Sequence, residues 1–389
     1  MQLSNLSIAG QNGLKRIHIE KGSIILVEDM EIYPPAMPDD GELSFNNALA
    51  FPGLVNSHDH LDFNLFPQLG NGVYKSYKEW GTDIHLQNKD SIDRVLAVPR
   101  QLRSRWGVYK NLLSGITTVV HHGAKTGMEE DIISINEATD SYHSVSGEKG
   151  WRWKLINPFG KHGPVVIHIG EGTAPDAVAE INSLLRWNIF RRKLTGIHGV
   201  AMNEKQAAAF RSLVWCPASN YFLLNKTAPI DRLKHATTML FGTDSTLTAS
   251  WNIWEHLRLA RKQQMASDTE LFDMLTLNAA AIWRLKHSGS IEAGQQADIV
   301  VAERAAGVTG WDAFYAINPE NILLLLHKGT IRLFDAVAYD QLVRAGLLPE
   351  GFSKVFVKGR VKYVQGDLPG LLEQIRQYDP LASFPVNYA

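Results

Sequence analysis

The chain has 389 residues, of which 45% are hydrophobic and 20% charged, with a formal net charge of −1. That balance fits a soluble globular protein with a large core, and it lacks the basic excess that nucleic acid or an anionic membrane surface would require of a partner. The start, Met1 to Gly10, has neither the basic end nor the long apolar centre of a secretion signal. Even the run Ile322 to Leu326 is far too short to span a bilayer. A single cysteine, Cys216, allows no intrachain disulfide, so a reduced, cytoplasmic location is expected.

From residue 1 to 50, short alternating runs are separated by turns. Arg16-Ile17-His18-Ile19-Glu20 alternates, Lys21-Gly22 turns, and Ser23 to Val27 resumes, a pattern that predicts β-structure. From 51 to 286 the texture changes. Strand-like runs at 53–57, 117–120, 165–167, 195–197, 213–216 and 238–241 alternate with helical stretches such as 175–187 and 204–212. Ser267 and Glu270 form a capping box that opens a helix with Leu271, Met274, Ala281, Ile282 and Leu285 on one broad face. This alternation predicts an α/β fold of the (β/α)8 TIM-barrel type. After 287 strands and turns return, at Gly289 to Val301 and around Gly359. The two chain ends, 1–50 and 287–389, are expected to make one composite β-sandwich domain beside the barrel at 51–286.

The barrel is short on one side. Only 41 residues run from Gly123 to Gly163, where a single βαβ unit takes about 30 or more. Residues 129–138 read as a helix, and 141–145 and 151–156 as strands, so the barrel is expected to be trimmed around strands 3–4. A strand at 151–156 would put Trp151, Trp153 and Leu155 on one face, near Tyr142. Cover for that apolar flank would come from a second copy, in a homo-oligomer, or from the aromatic first loop.

The stretch Pro52-Gly53-Leu54-Val55-Asn56-Ser57-His58-Asp59-His60 ends a strand with two imidazoles two residues apart, hence on one face. The run at 165–167 delivers His168, with Glu171 three further on. The run at 195–197 delivers His198, and that at 238–241 leads to Asp244. Strand C-termini of a parallel barrel open on one face, so these side chains should converge. Three histidines and a carboxylate suit one divalent transition metal, with zinc foremost and iron or manganese as alternatives. Water on such a metal reaches a pKa near ~7 and becomes a nucleophile.

These motifs, with Cys216-Pro-Ala-Ser-Asn220, Ala228-Pro-Ile230, Gly242-Thr-Asp244-Ser245 and Gly289 to Val301, resemble the amidohydrolase superfamily. The likeness is to its mononuclear metal-dependent aminohydrolase branch, which holds cytosine, guanine and S-adenosylhomocysteine deaminases and triazine hydrolases. The resemblance implies that His58, His60, His168 and Asp244 hold the metal. It implies that Glu171 shuttles a proton from the attacking water to the leaving nitrogen, that His198 orients water or substrate, and that Asp244 doubles as ligand and base. The implied reaction is hydrolytic deamination of a small nitrogen heterocycle with release of ammonia. Alternatives are hydrolysis of a cyclic or acyclic amide or an aryl chloride, or a barrel that binds without turnover.

Candidate substrate contacts are His121 and His122 at the end of strand 2, Asn220 in the Cys216 motif, and Trp80. Trp80 belongs to a first loop that also carries Phe63, Phe66, Tyr74 and Tyr77, aromatics able to stack on a flat ring. Lys154 reads as solvated or salt-bridged, and Cys216 as a buried inert thiol. His85, His143, His162, His235, His256, His287 and His327 read as surface or structural.

Overall fold

The computed structural model describes residues 1–30, 41–128, 132–157 and 164–388. Four strands come first: β1 Gln2–Ile8, β2 Lys15–Glu20, β3 Ser23–Asp29 and β4 Glu42–Pro52. Gly53 alone separates β4 from β5 Leu54–Asp59, and a Cβ there would stand 2.3 Å from the Thr117 side chain. Only glycine lets the chain pass that close.

The barrel runs from β5 through β6 Ile116–His121, β7 Ser134–Asn136, β8 Asp140–Ser144, β9 Val165–Ile169, β10 Leu194–His198, β11 Ser212–Trp215 and β12 Thr238–Phe241. Every pairing within it is parallel. Strands β5, β6, β9, β10 and β11 are buried along their whole length, as expected where both sheet faces are covered. The ring closes between β12 and β5, where the Thr243 and Asp244 amides donate to the His58 carbonyl at 3.2 and 3.1 Å.

The expected trimming takes a specific form. β7 pairs with β6 and β8 pairs with β9, yet three residues join β7 to β8. Returning to start a new parallel strand needs a crossover of about a dozen residues or more. Residues 134–144 are therefore one continuous pass of the wall, its first half bonded to one neighbour and its second half to the other.

Three helices follow β5: α1 Tyr77–Gln87, α2 Lys89–Ala97 and α3 Arg100–Leu113. Two sequence assignments near the trimmed wall are corrected. Within 129–138, read as a helix, residues 134–136 are strand, and 129–131 lie outside the described residues. Residues 151–156, read as a strand, form the helix α4 Trp151–Ile156. The apolar positions 151, 153 and 155 satisfy period two, but 151 and 155 also satisfy a helical i, i+4 spacing. With the wall already filled by 140–144, the helical option wins. Trp151 and Leu155 turn inward, and Trp153 is left 77% exposed. The flank is thus covered from within the chain by α4.

Helix α5 Pro175–Trp187 forms as expected. The stretch 204–212 yields only α6 Glu204–Ala207, capped reciprocally by Asn203 and Gln206, before the chain enters β11. The Ser267–Glu270 capping box is present in full, but the helix it opens ends at Asp273 and a second spans Leu277–Trp283.

Strands β13 Ile299–Glu303, β14 Ile322–His327, β15 Thr330–Asp335, β16 Phe352–Val357, β17 Arg360–Gln365 and β18 Val386–Asn387 join β1–β4. Together they form one ten-stranded sheet, with β4 and β13 antiparallel at its centre. The sheet folds back on itself. Ile24 N donates to Gln295 O and Ala297 N to Gly22 O, at 2.8 and 2.9 Å. The fold encloses a core that includes Leu3, Ile17, Leu43, Val301, Leu324 and Phe334. Among the described residues no helix is long and apolar enough to cross a membrane.

Candidate active site

The ends of β5, β9, β10 and β12 carry His58, His60, His168, His198 and Asp244 to one point, as parallel strands sharing a C-terminal face must. His168 Nε2 lies 3.3 Å from both His58 Nε2 and His60 Nε2. Asp244 Oδ1 lies 3.6 Å from His58 Nε2 and 3.7 Å from His60 Nε2. A tetrahedron with zinc–ligand bonds of about 2.0–2.1 Å has edges of ~3.3–3.4 Å. The two His168 spacings match that edge, and two sets of side chains lie close enough together to share one small cation: His58, His60 and His168, and His58, His198 and Asp244.

The surroundings fix the orientation of each of these side chains. His168 Nδ1–H donates to the His143 carbonyl at 2.7 Å, which leaves Nε2 as the free donor atom. Asp244 Oδ2 accepts from Ser219 Oγ at 2.8 Å and Thr248 Oγ1 at 3.0 Å, which turns Oδ1 toward the histidines. Asp244 and His198 both adopt left-handed backbone, at φ 57° and 72°, a conformation non-glycine residues hold only under surrounding constraint. Gly242 permits the close approach of β12 to β5, since a Cβ there would stand 2.8 Å from the His58 Cβ.

Beneath these ligands lies a buried polar network. Asp59, between the two ligand histidines, is fully buried and forms a 3.0 Å ion pair with Lys110 of α3. Its Oδ2 also accepts from Asn111 at 2.7 Å and Asn56 at 3.2 Å, and its Oδ1 from Asn64 at 2.8 Å. Lys110 Nζ donates on to Thr243 Oγ1 at 3.1 Å, the residue before Asp244. The network thus ties the β5 ligands to the β12 ligand.

Burial keeps His60, His168 and His198 neutral and suited to a metal. Burial lowers the His60 and His198 pKa values to about 4 each. Burial acts to raise Asp244, but the His58 imidazole and the histidines around it hold it well below the usual carboxylate range. Glu171 is the opposite case. Burial, reinforced by the Asp244 and Glu180 charges, pushes it well above that range. Its Oε1 stands 3.6 Å from His198 Nε2, and His198 Nδ1–H donates to Asn220 Oδ1 at 2.8 Å.

A cavity of about 850 Å³ opens over this cluster, lined at its inner end by His60, His122, His168, Glu171, His198 and Asp244. Trp80 lines it as well. Of the two adjacent histidines, His122 faces the cavity, its ring centroid 4.4 Å from that of His168. His121 turns away and is held between the Leu61 amide at 3.3 Å and the Ala124 carbonyl at 3.0 Å. Asn220 is fully buried behind His198 and does not line the cavity. Lys154 sits on α4, paired with Glu148 at the cavity's edge.

Sequence reasoning missed His143, whose carbonyl orients His168 and whose ring lines the cavity. Its place on a strand beside Ser141 was the available signal. It also missed Ser219, Thr248 and the Asp59–Lys110 pair, which no local pattern marks. His85 lines the cavity too, whereas His256 and His327 are buried and bonded to Ser250 O and Asp298. His162 lies outside the described residues.

The barrel, its one-faced histidine–aspartate cluster and its buried carboxyl have the chemistry of a hydrolase of the barrel class. Residues 162–332 match the Amidohydrolase family. A 5-methylthioadenosine/S-adenosylhomocysteine deaminase of Caldanaerobacter subterraneus is 22% identical over 335 residues, covering 69% of this chain and 76% of that protein. The crystal structure of a zinc-bound adenosine deaminase from Xanthomonas campestris superposes with a TM-score of 0.71 at 16% identity, covering 97% of each chain. An atrazine chlorohydrolase from Arthrobacter aurescens complexed with zinc gives a TM-score of 0.59 at 15% identity, over 90% of this chain and 100% of that one. Residues 162–332 thus carry an amidohydrolase domain.

Proposed function

We propose that the protein is a hydrolase acting on a non-peptide carbon–nitrogen bond, and that it deaminates a small nitrogen heterocycle with release of ammonia. The observation that carries this is the placement of Glu171, a buried carboxyl with a raised pKa, beside His198 and the histidine–aspartate cluster. Breaking an exocyclic C–N bond needs a group that takes a proton from attacking water and returns it to the departing nitrogen. A carboxyl shifted upward toward neutrality suits that task.

His58, His60, His168 and Asp244 would hold the metal, and a donor set of three imidazoles and a carboxylate suits zinc. When bound, the metal supplies Lewis acidity and brings water toward ionisation at neutral pH. Asn220 keeps the His198 proton on Nδ1, so Nε2 faces Glu171 and the reacting atoms. His122, whose Nε2 is buried without a protein partner among the described residues, is placed to bond the heterocycle. Trp80 offers a ring face for stacking.

The test is an ammonia-release screen over purines, pyrimidines, pterins and triazines with metal-reconstituted protein, with chloride release measured in parallel. Ammonia is expected. Chloride without ammonia would move the reaction to a carbon–halogen bond. Protein that holds less than a tenth of an equivalent of metal after reconstitution would end the hydrolase reading.

A further inference from the structure

We infer that the substrate is an uncharged heterocycle bearing an apolar substituent, and that α1 and α2 form the bay that receives it; this rests on the heterocycle reading above. The cavity of about 850 Å³ lies near the top of the ~300–1,000 Å³ range of sites for drug-sized ligands. A bare base would leave most of it to water. Toward α1 and α2 the wall is mainly apolar, built from Phe63 and Phe66 of the first loop, Trp80 and Ile84 of α1, and Ile92 and Leu96 of α2, with Thr82 and His85 of α1 among its polar members. Ile92 and Leu96 stand four residues apart and so share one face of α2. Ile84 and Ile92 are buried, while Leu96 is 49% exposed. Trp80 is fixed by donating Nε1–H to the Leu69 carbonyl at 2.8 Å.

The bay is preformed. The start of α1 is tied to the barrel by the Ser76–Gly172 bridge and by Tyr77 Oη, 2.8 Å from Ser144 Oγ. Its cations are already committed. Lys78 Nζ lies 2.6 Å from Glu180 and 3.8 Å from Asp176, and Lys154 pairs with Glu148. Among the described residues no arginine lines the cavity. A phosphate or carboxylate substituent would give up water without gaining a free cation. An alkyl or aryl substituent gains affinity with every group it buries, about fourfold per methylene.

The experiment is calorimetric titration of zinc-reconstituted protein with two series, 9-alkyladenines and N-alkyl diaminotriazines, from hydrogen to butyl. Each series includes a member whose butyl chain ends in phosphate. On a scaffold that binds, Kd should fall about three- to fourfold per methylene, and the phosphate should weaken binding. Leu96→Asp should pull the Kd ratio of butyl to unsubstituted ligand back toward one. A flat chain-length series, tighter binding of the phosphate member, or no binding in either series overturns the inference. Ammonia is assayed in the same samples. A chain-length slope without ammonia removes the deaminase reading and leaves this one, whereas ammonia with a flat slope does the reverse.

Discussion

Replacing Lys110 by methionine removes the cation from a pair in which both side chains are almost wholly inaccessible, 1% for Lys110 and 0% for Asp59. Asp59 keeps three amide donors, from Asn56, Asn64 and Asn111, so the carboxylate stays hydrogen-bonded but loses its counter-charge. Breaking a buried pair from one side costs about 3–5 kcal/mol. The surviving amides should hold the loss near the lower end of that range. In urea, Lys110→Met should lower the unfolding midpoint with little change in slope. Adding Asp59→Asn removes the orphaned charge and should recover at least half the loss, the remainder reflecting an amide left facing other amide donors. The same pair sits between the ligand histidines, so the single variant should also bind zinc roughly 10–100-fold more weakly, as is usual when groups behind metal ligands are disturbed. A loss below about 1 kcal/mol, or a double variant no more stable than the single, would refute the reasoning from uncompensated buried charge.

His60→Ala should lose metal and turnover together, which elemental analysis beside an ammonia assay would read. Glu171→Gln should keep its metal and lose about 10²–10⁴-fold in kcat, and full activity in that variant would remove Glu171 from proton transfer. Asn220→Leu should retain metal but slow turnover by roughly 10–100-fold, because the His198 Nδ1–H loses its acceptor. The homo-oligomer expected from sequence now has as its ground the exposed Trp153, Trp187, Ile189 and Phe190. Light scattering at micromolar concentration should show a species larger than the monomer, and a clean monomer ends that expectation.

The convergence of His58, His60, His168, His198 and Asp244 was legible because each follows a short β-rich run, and a parallel barrel turns that local pattern into convergence on one face. What stayed hidden was tertiary. Nothing local to Lys110 says that it will be buried against Asp59, since a lysine in the last turn of a helix ordinarily faces water. Trp151, Trp153 and Leu155 fit two periods at once, and the choice between them depended on whether 134–144 had already filled the wall. His121 and His122 were a matched pair in sequence. Only the path of the chain at Leu61 and Ala124 decides that His121 is held outside the cavity.

The central pairing of the large sheet sets an order of events during synthesis. β4 must wait for β13, whose Val301 pairs with Ala50. At ~5–20 residues per second, the roughly 250 intervening residues take about 12–50 s to emerge. Through that interval β1 can pair with β4, β2 with β1 and β3 with β2, but the far edge of β4, carrying Ala48, Leu49 and Phe51, presents open N–H and C=O groups. Such an edge invites pairing with other chains. The edge of β4 therefore stays open through the period when the barrel is being made, which ties the completion of the large sheet to the arrival of β13.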